Sequence, residues 1–294
     1  MSMKRNRKMQ YAIKNGNIVS IAEVAPGLKC GCICPACGSA LVAKKGSYMI
    51  HHFSHRTGEE CVHGYETSLH LMAKDILSKA KRIMLPRLRM KIPRHDFSAM
   101  EAWETIEVIG AREVIIDHVE LEAFSNGFVP DVIVYFENQK VNIEIRVTHE
   151  IDARKMEKIR EAKESTIEVD LSEWRGNISC DDLEELLIGN NQWKKWAYNS
   201  FSCTYVEGLL QYINDCTEER RVITDSLSPL REKLCCIKLR LDIETDVHIW
   251  RCQNCRYCWG YNSQTNTVRC AGRDRISSIK EFKERFDAEH NVPE

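Results

Sequence analysis

The clearest pattern in the chain is an alternation of apolar and polar residues near its middle. Between 141 and 148, Val141, Ile143, Ile145 and Val147 alternate with Asn142, Glu144, Arg146 and Thr148. A period of two predicts a strand with one buried face and places Glu144 and Arg146 together on the other. Residues 129 to 136 form a second apolar run, and the intervening ENQK predicts a hairpin. Further strands are predicted at 103 to 109, at 113 to 119 and in TIEVDLS. Elsewhere the period is helical. YETSLHLMAKDILSKAKRIML repeats Leu69, Met72, Ile76, Ala80 and Ile83 as one apolar stripe, with Glu66, His70 and Lys74 four apart on another side. EIDARKMEKIREAKES carries Ile151, Met156 and Ile159 at helical spacing, and VEGLLQYIND is helical in pattern. Trp193 and Trp196, three apart, read as anchors to a core. The order is helix, strands, hairpin, helix, strand, and the helix after the hairpin predicts a crossover to a parallel strand. The fold class expected is therefore α/β.

The hairpin raises a chemical question, because a carboxylate is costly to bury without a partner. Pairing Phe136 with Val141 would set Asp131 opposite Arg146, with Glu144 as its diagonal neighbour at roughly 7 Å between Cβ atoms. One cation can bridge that span. A slip of one residue would send the two carboxylates to opposite faces.

Length and composition set the frame. At 294 residues and 43% apolar content the chain can build a real core or two to three smaller ones. No apolar run approaches the roughly 20 residues of a membrane span, and the basic start MSMKRNRKMQ lacks the apolar stretch of a secretory signal, so a cytoplasmic location and no membrane partner are expected. The formal net charge of -1 conceals a split: residues 1 to 95 hold 17 Lys and Arg against 5 Asp and Glu, whereas residues 96 to 190 hold 9 against 23. A basic third suited to a polyanion thus adjoins an acidic middle suited to cations.

Fourteen cysteines without an export signal favour metal ligation where they cluster. Cys34-x2-Cys37 followed by His52 and His55 supplies four ligands for a tetrahedral structural zinc, with Cys30, Cys32, His51, Cys61 and His63 as spare candidates. Closer to the end, Cys252, Cys255 and Cys258 are three apart and Cys270 follows twelve later, the makings of a zinc-ribbon-like site of four cysteines, with an iron-sulfur cluster as the minor alternative. His248, Cys235 and Cys236 are alternative ligands there, and Arg251, Arg256, Arg269, Arg273 and Arg275 suggest contact with phosphate.

Taken in order, CPACG, HHFSH, YETSLHLMAK, VPDVIV and IEIRVTHEID resemble the CoiA-like competence protein family over roughly residues 25 to 173, and the helix, Asp131, Glu144-x-Arg146, helix and strand resemble a PD-(D/E)XK nuclease core. The resemblance implies a restriction-endonuclease-like core, a central mixed sheet flanked by helices, with Asp131 and Glu144 holding Mg²⁺ or Mn²⁺ and Glu66 supporting the same metal. It implies DNA as the partner and metal-dependent phosphodiester hydrolysis as the reaction, in DNA processing, uptake, recombination or phage defence, with protein partners of such a system. Three parts are expected: a basic zinc-binding module at 1 to 63, the nuclease-like core at 64 to 190, and a C-terminal helical and cysteine-rich region at 191 to 294. One position departs from the pattern. Arg146 stands where the core motif has lysine, and arginine stays protonated, so it can stabilise charge but cannot take a proton from water. Lys155, His149 and Lys74, with His70 nearby in sequence pattern, are the auxiliary candidates. The rival expectation is a non-catalytic, zinc-containing DNA-binding protein that keeps a degenerate nuclease fold.

Overall fold

The computed structural model describes residues 8–58, 61–95, 101–172, 178–223, 247–253 and 255–290. The chain forms two compact units, one from Met1–Arg87 and Ala111–Ser200, the other from Leu88–Gly110 and Phe201–Glu294.

The first unit begins with the hairpin β1 (Tyr11–Lys14) and β2 (Asn17–Ser20) and a second hairpin of β3 (Leu41–Lys44) and β4 (His52–His55). Helix α1 (Gly64–Lys79) follows, then β5 (Arg82–Leu85). The expected helical stripe is cut short. Leu69, Met72 and Ile76 lie on α1 and are buried, but Ala80 is already extended and Ile83 belongs to β5, where pairing with a later strand satisfies the backbone that further helix would have satisfied internally. The chain then lends β6 (Leu88–His95) and β7 (Glu101–Ile109) to the second unit and returns with β8 (Arg112–Ile115), the partner of β5. The run expected at 113 to 119 is divided: β9 (His118–Leu121) is separate from β8, and Asp117 between them donates its N–H to Tyr135 O.

The central sheet is then completed by β10 (Val132–Phe136), β11 (Gln139–Arg146), α2 (Ala153–Ala162), β12 (Thr166–Asp170), a short α3 (Cys180–Glu184) and β13 (Lys194–Tyr198). Strand order is β13-β12-β11-β10-β9, with β11 and β12 parallel and the other pairs antiparallel. The parallel crossover through α2 is the one the element order predicts. Val132, Val134 and Phe136 of β10, Val141, Ile143 and Ile145 of β11, and Ile167 and Val169 of β12 form one buried face with Leu69, Met72, Ala73, Ile76 and Leu77 of α1. Trp193 and Trp196 pack on the same core, and Trp196 Nε1 donates to Pro86 O at 2.8 Å, the anchoring role expected of them.

The hairpin register differs from expectation by two residues. Phe136 pairs with Gln139 and Val132 with Ile143, because the turn is Glu137–Asn138, both at positive φ (50° and 59°), the two-residue turn that matches strand twist. A shift of two leaves every side chain on its expected face. It changes who is level with whom: carried one residue back, the ladder brings Asp131 level with Glu144, whereas Arg146 is paired with Asp170 of β12.

The second unit contains α4 (Ser200–Asp215), β14 (Glu218–Ile223), β15 (Val247–His248), α5 (Ile249–Gln253), β16 (Cys258–Asn262), β17 (Thr267–Cys270) and α6 (Ile279–His290). Its sheet runs β15-β14-β17-β16, and β16 and β17 form the hairpin expected from GYNSQTNTVRC. Tyr205, Tyr212, Phe282, Phe286 and Trp259 make edge-on and tilted ring contacts between α4, α6 and β16. No helix among the described residues is long and apolar enough to cross a membrane.

Candidate functional site

Polar residues of the central sheet gather at one end of it. Glu144, Arg146, Glu168 and Asp170 share the face opposite the apolar core, since their neighbours Ile143, Ile145, Ile167 and Val169 are the residues that fill it. Parallel pairing sets Glu144 level with Glu168. With Asp131 level with Glu144, three carboxylates lie side by side on consecutive strands, about 4.8 Å from one strand to the next. Glu168 was missed from the sequence, where TIEVDLS signals a strand but not its pairing partner; only the parallel register makes Glu168 a neighbour of Glu144.

Basic side chains from both helices answer this charge. His70 Nε2 of α1 lies 2.9 Å from Asp131 Oδ1, close enough for an ion pair although not aligned as a hydrogen bond. One turn on, Lys74 Nζ lies 3.1 Å from the same oxygen and 2.7 Å from Glu122 Oε1. Asp131 Oδ2 accepts from the Ile145 N–H at 2.8 Å. Burial would raise the Asp131 pKa, but His70, the Ile145 amide and Lys74 together outweigh it and hold the carboxyl at about 2. Burial also opposes charge on Lys74, and Glu122 and Asp131 more than compensate, so its pKa is raised.

Glu144 sits in the opposite situation. Burial, then the neighbouring Asp131 charge, push its pKa up to about 7 against the pull of Lys155 and Lys74. Helix α2 supplies Lys155: Asp152 caps the helix by accepting from the Lys155 N–H, and Lys155 Nζ donates to Glu144 Oε2 at 2.7 Å. The other oxygen, Glu144 Oε1, is buried with no hydrogen-bond partner. Glu144 thus sets one unpartnered buried oxygen beside the Asp131 carboxylate.

The remaining sequence candidates are distributed around this pair. Glu66, on the first turn of α1, accepts a hydrogen bond from Thr148 Oγ1. Arg146 lies on the acidic face but its Nη1 is 3.0 Å from Asp170 Oδ2, 3.0 Å from Glu150 Oε1 and 3.9 Å from Glu168 Oε1, so it is not the partner of Asp131 that the expected register made it. His149 is exposed. Lys195 Nζ lies 2.7 Å from Glu168 Oε1.

A second cluster lies at the start of α1. Cys34, Cys37, His55 and Cys61 each present a ligand atom within 4.8 Å of the others. The Cys34–Cys37 turn is closed by the Gly38 N–H donating to Cys34 O at 2.9 Å, with Gly38 at a φ of 70° that a side chain would resist. Hydrogen bonds from Ser39 hold the Cys37 thiol at about 6, so a thiolate is available. Three sulfurs and one imidazole can hold a structural metal such as zinc.

This corrects the expected ligand set in one place: His52 is replaced by Cys61. His52 and His55 are three apart on a strand and therefore point to opposite faces, so one metal cannot take both. His52 is buried, with Nδ1 2.8 Å from Ile50 O and Nε2 3.4 Å from Lys8 Nζ. Cys30 and Cys32 are likewise turned into the module's core, their thiols donating to Leu41 O and Cys30 O at 3.4 Å.

At the other end of the chain, turns carry the Cys255 N–H to Cys252 O and the Cys258 N–H to Cys255 O, and Cys258 pairs with Cys270 across β16 and β17. Among the described residues, the grouping tight enough for a metal is the N-terminal one. Cys235 and Cys236 lie outside the described residues.

These features define a mixed α/β protein in which a Cys and His cluster that could hold a metal adjoins a sheet bearing a carboxylate row. Residues 26–64, which include all four clustered ligands, match the family model described as Competence protein CoiA, N-terminal domain, and support a CoiA-like relationship for this segment. No curated protein and no solved structure gave a match.

Proposed function

We propose that the protein is a metal-dependent nuclease acting on DNA, built on a restriction-endonuclease-like arrangement of α1, β9 to β11, α2 and β12, and that it serves a competence-related or other DNA-processing role. The observation that carries this reading is Glu144: a carboxylate level with Asp131, with one oxygen buried and unpartnered and the other held by Lys155 at 2.7 Å. A phosphodiester resists hydrolysis because its charge repels hydroxide and because charge builds on the leaving oxygen. A divalent cation held by Asp131 and Glu144 would supply an activated water and neutralise that charge.

The chain's own residues have separable tasks. Asp131 stays ionised through the neutral range, which keeps one permanent anionic ligand. Lys155 stands where it can orient the attacking water from the helix side, taking over the position that Arg146 vacates by pairing with Asp170 and Glu150. Arg146 contributes fixed positive charge. Lys74 neutralises Asp131 when no cation does, with His70 Nε2 beside the same oxygen. Cys34, Cys37, His55 and Cys61 hold zinc in a structural role.

The purified protein should cut single- or double-stranded DNA with Mg²⁺ or Mn²⁺, and Asp131→Asn or Glu144→Gln should remove cleavage while leaving DNA affinity in place. Absence of cleavage under both metals would favour the alternative, a non-catalytic zinc-containing DNA-binding protein. The observation on that side is that Asp131 and Arg146 are already satisfied by ion pairs, as structural charges would be.

A further inference from the structure

The loop between β3 and β4 exposes three large apolar side chains in a row. Tyr48 is 99% exposed, and Met49 and Ile50 are each 61% exposed. Apolar area on a loop tip is unfavourable in water unless something covers it.

The tip stands on a braced stem. On one side Lys45 Nζ donates to Ala22 O at 3.1 Å and to Val24 O at 2.9 Å; on the other, His52 Nδ1 lies 2.8 Å from Ile50 O. Lys44 and His52 close the ladder beneath it. A stem fixed in this way loses little further freedom when the tip meets a partner.

Charge decides what that partner is. From residue 24 to residue 58 there is no Asp or Glu, while Lys29, Lys44, Lys45 and Arg56 and three histidines are present. Lys29, Lys44 and Arg56 are exposed, as is His51 beside the tip. A protein surface would be served by the apolar trio alone. An aromatic ring at the apex with exposed Lys44 at its base fits a polyanion whose units also carry flat apolar faces, which is unpaired nucleic acid.

We propose that the β3–β4 tip is a contact for single-stranded DNA, with Tyr48 stacking on an unpaired base, Met49 and Ile50 packing beside it, and Lys44 holding a flanking phosphate. The proposal rests on the reading of the protein as one that acts on DNA and names an element that grips the strand.

The test uses the full chain carrying Glu144→Gln, so that no substrate is consumed, and a labelled single-stranded oligonucleotide with a matched abasic version. Adding Tyr48→Ala should weaken binding to the base-bearing strand about 5- to 150-fold, the range for losing one stacked base, with the slope against salt unchanged. Tyr48→Trp should restore affinity, and the abasic strand should bind weakly and equally to both proteins. Lys44→Gln should instead flatten the salt slope, by about one unit for the lost phosphate contact. Equal affinity of the Tyr48→Ala protein and its parent for the base-bearing strand would overturn the proposal, as would a Tyr48→Ala change in sedimentation without a change in DNA binding, which would mark a protein contact. Cleavage is scored separately on the protein with Glu144 intact. A Tyr48 effect without any cleavage would retire the nuclease reading alone, and cleavage without a Tyr48 effect would retire the stacking contact alone.

Discussion

Glu144→Gln separates the cost of the carboxylate from its use. In the folded protein Glu144 ionises at about 7 in place of 4.5, since burial and Asp131 both disfavour the anion. Below the ordinary value it is protonated in both folded and unfolded chains and contributes no pH dependence. As pH rises from 4.5 to 7 the unfolded chain loses this proton and the folded chain keeps it, so folding stability falls across that window and levels off above it. At ~1.4 kcal/mol per pH unit, the displacement amounts to about 3 kcal/mol. Glutamine keeps the shape and an acceptor for Lys155 but carries no charge. Urea unfolding at pH 5 and pH 8 should therefore show the wild-type protein losing about 2–3 kcal/mol more than the variant between the two. Saturating Mg²⁺ at pH 8 should stabilise the wild type and not the variant, because only the ionised carboxylate binds it. A wild type and variant whose stabilities run parallel from pH 5 to pH 8, with no response to Mg²⁺ in either, would refute both the electrostatic argument and the metal site.

Other expectations concern different parts of the first unit. Cys61→Ala should abolish zinc binding at the N-terminal module by elemental analysis, whereas His52→Ala should leave the zinc in place; the reverse result would restore the ligand set read from sequence. Lys155→Ala should slow cleavage by about 100-fold, the worth of a group that positions a reactant, while Arg146→Ala should lower both rate and stability, since it strips an ion-pair partner from Asp170. Glu164 is buried and accepts from Ser125, Asn126, Lys140 and Asn142. Glu164→Ala should cost about 3 kcal/mol or more in thermal unfolding without affecting metal binding at Asp131, because it orphans several buried donors at once.

Much of the core was legible because alternation is a direct record of burial. Val141 to Thr148 announce the strand and its two faces, and the helical spacing of Leu69, Met72 and Ile76 marks the side of α1 that packs. Register was not legible to the same degree. Alternation is unchanged by a shift of two, so only the turn could fix the pairing, and Glu137–Asn138 is a less familiar two-residue turn than Asn-Gly. Glu168 escaped for a related reason, since parallel neighbours are set by a crossover helix and not by any local signal. The candidate metal ligands illustrate the limit of spacing arguments. His52 and His55 look like a finger pair as letters, and become unsuitable only once β4 is known to be extended; Cys61 lies across a turn whose path the letters do not encode.

Gly64 opens α1 pressed against the metal-binding cluster: a side-chain carbon there would meet Cys34 Sγ at 3.3 Å, Met9 sulfur at 3.5 Å and Cys61 Cβ at 3.6 Å. The helix that brings Glu66, His70 and Lys74 toward the carboxylates therefore starts on the thiol knot itself, with no spacer to absorb movement. Any loosening of that cluster would therefore be felt at the foot of α1, and the cysteine module cannot be trimmed away as a dispensable handle.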